Sequence, residues 1–145
     1  SMNIYERLKE DHDHHRQLAE KIAETSGDSP ERRKLWEKFK PEREAHANAE
    51  DQTFYAALIK IPDGQEKARH SVAEHKESSD LFEELSDLEM SSGGWLQKFK
   101  KLKHELEHHM EEEEKDVFAL AKKLIDDSQA TELTAAFEKR KVDEA

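Results

Sequence analysis

The apolar positions of this chain recur at intervals of three and four residues, which is the spacing of amphipathic helices. Four long helices are predicted, at about 3–25, 30–60, 63–88 and 95–125, and a shorter fifth helix at about 128–141. Short stretches rich in glycine, serine, aspartate and proline separate them. The pattern therefore predicts an all-α fold, an antiparallel up-down four-helix bundle with a short C-terminal helix packed on it.

The second predicted helix carries two proline signals. Ser29 followed by Pro30 is typical of a helix start, because serine caps the first turn and proline lacks an N–H that would have no partner there. Pro41 falls inside the same helix, where it removes a backbone hydrogen bond. We expect a kink or a one-turn break at Pro41.

Length, charge and cysteine content limit the possible functions. The 145 residues are enough for one domain, 1–145, with the bundle at about 4–125. A formal net charge of −11 argues against nucleic acid and anionic membranes as partners, because both bind clustered Lys and Arg. No apolar run is long enough to span a membrane. The lack of cysteine excludes thiolate metal sites and disulfides, and we expect a cytoplasmic protein.

The two halves of the chain match each other at a constant offset of 63 residues. The polar members of this repeat include Asp11 with Glu74, to which no role is assigned, and His12 with His75, His46 with His109, and Glu50 with Glu113. Nine histidines in 145 residues would give only about 0.3 histidine matches at one offset by chance. A repeated helical hairpin without a site would explain the apolar matches, but it would not explain polar residues placed within the apolar register.

The repeated residues predict a site for two metal ions at the centre of the bundle. In each half the glutamate follows a histidine by four residues, so both side chains lie on the same face of their helix. Imidazole and carboxylate suit iron, manganese or zinc, and two carboxylates can bridge two ions. The predicted ligands are His12, His46, Glu50, His75, His109 and Glu113. Core histidines that bond to other groups are the alternative.

Other histidines compete for two of these positions. In the first helix His15 shares a face with apolar residues, and in the fourth helix His108 is followed by Glu112 four residues later. His12 and His109 are preferred because they obey the offset, and His15 and His108 stay open as replacements.

Three further residues near the site have an open role. Glu114 and its counterpart Asp51 can orient a ligand imidazole by hydrogen bonding, although both also fit a solvated helix face. Tyr55 can lie near the site or point outward, and the helical pattern does not decide between these placements.

The same residues resemble the hemerythrin-like family, also called HHE cation-binding domains. The resemblance covers residues 4 to about 125 and rests on Asp11-His12, His46 to Glu50 with Asp51 and Phe54-Tyr55, Glu74-His75, and His109 to Glu113-Glu114 with Val117-Phe118. It implies a non-haem centre of two iron ions bridged by both glutamates, with zinc or manganese as substitutes. It also implies functions that range from binding of dioxygen or nitric oxide to iron handling and the repair of iron centres.

One position departs from the oxygen carriers of that family, which have a second histidine four residues before the ligand of the third helix. Here that position is Ser71, and His70 lies five residues before His75. One iron would therefore have fewer ligands than in a carrier. This departure favours sensing, redox or metal-handling chemistry over reversible dioxygen transport.

Three functions are compatible with these features. The first is binding of dioxygen, a related small oxidant or nitric oxide by a sensor, scavenger or iron-handling protein. The second is a di-iron redox enzyme that acts on peroxide or repairs iron centres, and it is the less favoured because no substrate pocket is evident in the sequence. The third is a metal-stapled helical module that binds a protein partner of unknown identity.

Overall fold

Five helices make up the computed structural model, which describes residues 2–144. Three of them are uninterrupted: α1 (Ile4–Ala23), α3 (Gln65–Asp87) and α5 (Asp127–Glu144). Helix α2 runs as Pro30–Glu50, passes through a π-helical turn at Asp51–Tyr55 and ends as Ala56–Ile59. Helix α4 runs as Gly93–Glu112, passes through a second π-helical turn at Glu113–Val117 and ends as Phe118–Leu124. Residues 2–144 contain no strand, so the all-α prediction is confirmed, while residues 1 and 145 of the predicted domain lie outside the described part.

Side chains cap the starts of α1, α2, α4 and α5, with Ser92 accepting from the N–H of Gly94 and Asp126 from the N–H of Gln129 in the last two. Asn3 accepts a hydrogen bond from the N–H of Glu6 at 2.9 Å, and the Glu6 carboxylate accepts one from the Asn3 N–H at 3.2 Å. Ser29 accepts a hydrogen bond from the N–H of Arg32 at 3.1 Å, and Pro30 occupies the first helical position, as predicted. These caps satisfy N–H groups that have no partner within the helix.

Helix α2 continues through Pro41, so the one-turn break, one of the two outcomes predicted there, is absent. Pro41 leaves the carbonyl of Glu37, four residues earlier, without its usual donor. Both residues lie on an exposed face of the helix, where water can bond to this carbonyl. The neighbouring turns retain their hydrogen bonds, and the helix tolerates the proline.

Two apolar clusters fill the interior of the protein. One lies near the start of α1, the ends of α2 and α4, and α5, and includes Ile4, Leu8, Phe54, Leu58, Phe118 and Phe137. The other includes Ile22, Trp36, Phe39, Phe82, Trp95 and Phe99. Along each of the first four helices, the predicted ligands lie between the residues of these two clusters. The clusters thus enclose a buried polar layer, in which electrostatic interactions are stronger than in water.

Helix α5 closes one side of this layer. It packs on α1 and α2 and ends at Glu144, three residues beyond the predicted end. Its Phe137 is fully buried, with its ring centroid 5.4 Å from that of His46. The added residues are held by Asn48 and Gln52, whose amides donate hydrogen bonds to the Glu144 carboxylate.

The outer faces of the helices are largely polar. The large apolar side chains that are exposed within residues 2–144 are Met2, Ile59, Val72, Leu88 and Val142. None of the helices in that range combines the length and the apolar composition of a membrane span.

Candidate metal centre

Six side chains from the first four helices converge in the polar layer. One buried group of possible ligands contains His12, His46, Glu50 and Glu113, and the other buried group contains Glu50, His75, His109 and Glu113; a third group, partly exposed and outside this layer, contains His70, Glu74 and Glu112. Within each group, ligand atoms from all members lie within 4.8 Å of one another. All six side chains are buried, and the two glutamates belong to both groups. The structure thus brings together every residue that the 63-residue repeat selected.

The Nε2 atom of each imidazole faces a glutamate. His12 Nε2 lies 3.1 Å from Glu113 Oε1, and His75 Nε2 lies 3.2 Å from Glu50 Oε1. Within their own helices, His46 Nε2 lies 3.7 Å from Glu50 Oε1 and His109 Nε2 lies 3.5 Å from Glu113 Oε2. Each glutamate therefore faces one imidazole from its own helix and one from another helix.

The Nδ1 atom of each imidazole faces a second carboxylate, further from the centre. These outer carboxylates are Glu114 for His12, Asp11 for His46 and Asp51 for His75, each at 2.7 Å, and Glu74 for His109, at 2.8 Å. A carboxylate can only accept, so each neutral imidazole holds its proton on Nδ1. The lone pair on Nε2 is thereby directed to the centre, as it is in metal-binding histidines.

The outer carboxylates obey the same repeat as the inner residues. Asp11 corresponds to Glu74 and Asp51 to Glu114, each pair at the offset of 63. An orienting role was expected for Asp51 and Glu114, and the structure places both at hydrogen-bonding distance from a candidate ligand. Asp11 and Glu74 had been matched without a role, and their place immediately before a candidate histidine is the signal that could have identified them.

Cations hold the Asp11 carboxylate in its ionised form. Arg7 Nη1 and Lys141 Nζ donate hydrogen bonds to it at 2.7 and 2.8 Å. Burial acts to raise the pKa of Asp11, but the hydrogen bonds from His46, Arg7 and Lys141 outweigh it and keep the pKa well below its ordinary value. Asp11 therefore stays an acceptor, which fixes the proton of His46 on Nδ1.

The centre contains buried polar atoms that the chain itself does not satisfy. Within residues 2–144, His46 Nε2, both carboxylate oxygens of Glu50 and Glu113 Oε1 have no hydrogen-bond partner. Buried polar atoms without partners are costly, and buried charges more so. A divalent cation would satisfy all of them, and a set of imidazole and carboxylate donors without thiolate suits iron, manganese or zinc. The residues therefore fit a bound metal.

The pKa values at the centre reflect the same lack of a counter-charge. Burial and then the charge of Glu113 raise the pKa of Glu50 well above its ordinary value. Burial acts in the same way on Glu113, but the neighbouring imidazoles of His109 and His12 outweigh it and keep the pKa of Glu113 low. Burial, aided by the charge of Arg43, lowers the pKa of His46 to about 3. Two adjacent carboxylates thus share one negative charge until a cation binds between them.

Comparison with known proteins identifies the family. The model of the Hemerythrin HHE cation binding domain matches residues 3–121. The chain belongs to this HHE family. A crystal structure of an HHE cation binding domain-containing protein from Mycobacterium kansasii has a similar fold, with a TM-score of 0.88 and 29% sequence identity. The match covers 99% of this chain and 88% of that chain. A search of curated protein sequences found no match.

The rival histidines of this HHE domain lie outside the two ligand groups. His14 is partly exposed and contacts Glu42 at 2.9 Å. His108 has a side chain that is 67% exposed. His15 is buried, but its Nδ1 accepts a hydrogen bond from Arg43 at 3.1 Å. The geometry therefore favours His12 over His15 in α1, and His109 over His108 in α4.

Each π-helical turn of the HHE domain lies at one of the two shared glutamates. One turn follows Glu50 directly and the other begins at Glu113. A π-helical turn takes in one more residue than an α-helical turn, so it rotates the side chains that follow. After the first turn Tyr55 points inward and donates a hydrogen bond to Glu113. No sequence signal marks these turns, and the inward position of Tyr55 could not be derived from regular helical spacing.

The surroundings of the two ligand groups differ. Tyr55 lies beside His75, with ring centroids 6.0 Å apart, and buried Ser71 lies near its hydroxyl. The counterparts of Tyr55 and Ser71 in the repeat are Phe118 and Leu8, which belong to an apolar cluster. The end of the HHE centre near His75 therefore carries hydroxyl groups, whereas the end near His12 is apolar.

Proposed function

We propose that this HHE domain holds a non-haem di-iron centre. The ligands are His12, His46, Glu50, His75, His109 and Glu113, and the two glutamates are shared between the ions. The observation that carries the proposal is the pair of overlapping ligand groups. In them, four Nε2 atoms with Nδ1 bonded elsewhere face two carboxylates, and three of the four carboxylate oxygens have no hydrogen-bond partner within residues 2–144. Zinc and manganese accept the same donors and are the substitutes to test.

The proposed role of the centre is to bind dioxygen, a related small oxidant or nitric oxide, as a sensor, a scavenger or an iron-handling protein. Bound iron supplies the redox and ligand-binding chemistry. The chain keeps the imidazole protons on Nδ1 through the outer carboxylates and excludes water through the apolar clusters. The hydroxyl of Tyr55 places a hydrogen-bond donor at one end of the centre.

The proposal includes an up-down arrangement of the first four helices. From its start, α1 passes the cluster of Ile4 and then that of Ile22, whereas α2 passes the cluster of Trp36 before that of Leu58. Helix α3 follows the order of α1, and α4 follows the order of α2. This alternation supports an antiparallel bundle in which two related hairpins supply the two ligand groups.

Metal analysis tests the proposal directly. Protein produced with iron and purified without a chelator should contain two irons per chain and show ligand-to-metal charge-transfer bands in air. His109→Ala should lose at least one of the two irons. His108→Ala, which removes the exposed neighbouring imidazole, is the matched control and should keep both.

Two results would contradict a di-iron centre. One is protein without bound metal whose thermal unfolding is unchanged when ferrous iron is added without oxygen. The other is equal loss of iron in the His108 and His109 variants, which would show that the repeat does not define the ligands.

A redox enzyme that acts on peroxide is the second candidate, and the position of Tyr55 favours it. A buried O–H that contacts the shared Glu113 can deliver a proton or an electron at the centre. Iron-loaded protein should consume peroxide, and Tyr55→Phe should lower this rate at least tenfold at unchanged iron content. Tyr5→Phe is the control, since Tyr5 is also buried but its hydroxyl bonds to no residue of the centre. Absence of peroxide consumption by the iron-loaded wild type would exclude this function.

A further inference from the structure

Arg43, on α2 one turn before His46, is a buried arginine without a hydrogen-bonded carboxylate in residues 2–144, and the charges of Glu50 and Glu113 act on it only at longer range. Only 3% of it is exposed, and no carboxylate in residues 2–144 bonds to it. Its one hydrogen bond in that range runs from Nη1 to Nδ1 of His15, at 3.1 Å, and its Nε has no partner. Buried arginines are rarely left unpaired, because desolvating the charge is costly.

The contact with His15 fixes which edge of the guanidinium is available. Arginine can only donate, so Nδ1 of His15 accepts and the neutral imidazole holds its proton on Nε2. His15 thus occupies the Nη1 end of Arg43 and supplies no negative charge. The edge that contains Nε is one of the edges through which arginine binds carboxylates in a bidentate manner, and here it is unpaired.

Arg43 lines a cavity of about 290 Å³ between α2, α3 and α4, called here the Arg43 cavity. Its wall includes the apolar side chains of Phe82 and Leu106 and the buried Ser78. His75 is also part of the wall, so the cavity reaches the edge of the metal centre. The volume is close to the lower limit for small-molecule sites in proteins.

The other charged side chains in the wall of the Arg43 cavity have partners. Asp51 accepts from His75 at 2.7 Å, Glu44 pairs with Lys40 at 3.0 Å, and Lys76 pairs with Asp80 at 2.6 Å. Of the Lys and Arg side chains that line the cavity, Arg43 is the one to which no carboxylate in residues 2–144 is bonded. The cavity therefore presents one buried positive charge next to an apolar wall.

We propose that the Arg43 cavity binds a small organic monocarboxylate. Its carboxylate pairs with the guanidinium of Arg43, and its apolar body lies against Phe82 and Leu106. A charge-assisted pair satisfies the donor that the chain leaves free, whereas an inorganic anion would leave the apolar wall uncovered. The ligand lies beside His75 and needs no metal, so the site is independent of the proposed di-iron function.

Calorimetry and ¹H–¹⁵N spectra of the full chain, with sodium butyrate as the probe, test this site. Butyrate should bind saturably with a dissociation constant on the order of 1 mM, as expected for so small a ligand. The Nε–H signal of Arg43 and the backbone signals around His75 should shift. Butyramide, the uncharged analogue, should bind at least tenfold more weakly. Metal-free and zinc-loaded protein should both bind butyrate, which separates this test from that of the metal centre.

Three variants define the site. Arg43→Gln should weaken butyrate binding at least tenfold, and Val72→Trp, which fills the cavity from its partly exposed wall, should weaken it similarly. Lys76→Gln removes an exposed charge from the same wall and should change binding less than twofold. If Arg43→Gln fails to fold, Val72→Trp decides alone.

Other outcomes would overturn the proposal. Absence of saturable binding to the wild type, or equal binding by folded Arg43→Gln, would exclude the Arg43 cavity as the site. Equal binding of butyramide would exclude recognition of the charge. Formate has no apolar body. If formate bound as tightly as butyrate, contact with the apolar wall would contribute nothing, and the cavity would be a general anion site.

Discussion

Each Nε2 atom that faces the centre belongs to an imidazole whose Nδ1 atom is hydrogen-bonded to an outer carboxylate. That hydrogen bond fixes the imidazole tautomer and makes Nε2 a stronger donor to a cation. Among the outer carboxylates Asp11 is the most deeply buried and is held by two cations, so changing it would disturb the fold. Glu74 is more accessible, with 21% of its side chain exposed, and its other histidine neighbour is the exposed His70. Glu74 can therefore be changed with less effect on the fold than Asp11, although it also belongs to the partly exposed group of His70, Glu74 and Glu112.

Glu74→Gln should weaken metal binding roughly 10–100-fold, which is the usual cost of losing a hydrogen-bonding partner behind a ligand. The amide keeps the size of the side chain but removes its charge, so His109 keeps its position and becomes a weaker donor. Competition of Zn²⁺ or Co²⁺ between the protein and a chromophoric chelator measures the change.

The matched control for this variant is Glu77→Gln, on the exposed face of the same helix. It removes the same charge from the same helix without touching a histidine of the centre. Equal affinity in the two variants would mean that Glu74 acts only through the overall charge of the protein.

The repeat shows why some residues of the site were predictable and others were not. The six inner residues and the four outer carboxylates occur in both halves, so one offset finds them all. Tyr55 and Arg43 have Phe118 and Leu106 as counterparts, which carry no polar group. A search for matches between the halves therefore recovers the shared framework of the centre and misses the residues that make its two sides different.

The number, the order and the approximate ends of the helices followed from the spacing of the apolar residues. Local departures from regular helical geometry did not. The break expected at Pro41 is absent because the affected carbonyl lies on an exposed face. The two π-helical turns are present although no proline or glycine marks them. Both departures depend on the neighbouring helices and on the solvent around the helix. The spacing of apolar residues along one helix gives no information about either.

Arg32 links helix ends that are far apart in sequence. Its guanidinium donates to Thr25 Oγ1 at 2.8 Å, to the Thr25 carbonyl at 2.7 Å and to the Met90 carbonyl at 2.9 Å. It also lies over the ring of Trp95, at 4.8 Å from the centroid. Arg32 thus joins the end of α1 to the connection between α3 and α4.

Arg32→Ala should lower the free energy of unfolding by about 2–4 kcal/mol, because buried acceptors lose a charged donor and the packing on Trp95 is lost. Urea denaturation of the metal-free protein measures this change. Arg33→Ala provides the comparison, since the Arg33 side chain is 57% exposed and pairs with Asp28 at the surface, and it should change the free energy of unfolding much less than Arg32→Ala. A loss below 1 kcal/mol for Arg32→Ala would show that water replaces these bonds at little cost.

At the scale of the whole molecule, the polar layer opposes folding until a cation enters it. The chain carries a net charge of −11 and places two adjacent carboxylates between two apolar clusters. A ligand that binds only the folded state stabilises it by about 2.7 kcal/mol when present at 100 times its dissociation constant. Two ions should therefore add roughly 5 kcal/mol and raise the unfolding temperature, and a chelator should reverse the effect.

Glu50→Gln should separate metal binding from the stability of the metal-free fold. Burial raises the pKa of Glu50, so the amide resembles the protonated form that the metal-free protein already favours, and it can donate to Glu113. The metal-free variant should be at least as stable as the wild type, while the gain on adding Zn²⁺ or Fe²⁺ should disappear. Thermal unfolding with and without metal measures both quantities. Glu111→Gln, on the exposed face of α4, should keep the full gain. A metal-dependent gain that survives in Glu50→Gln would mean that the ions bind without the shared carboxylate.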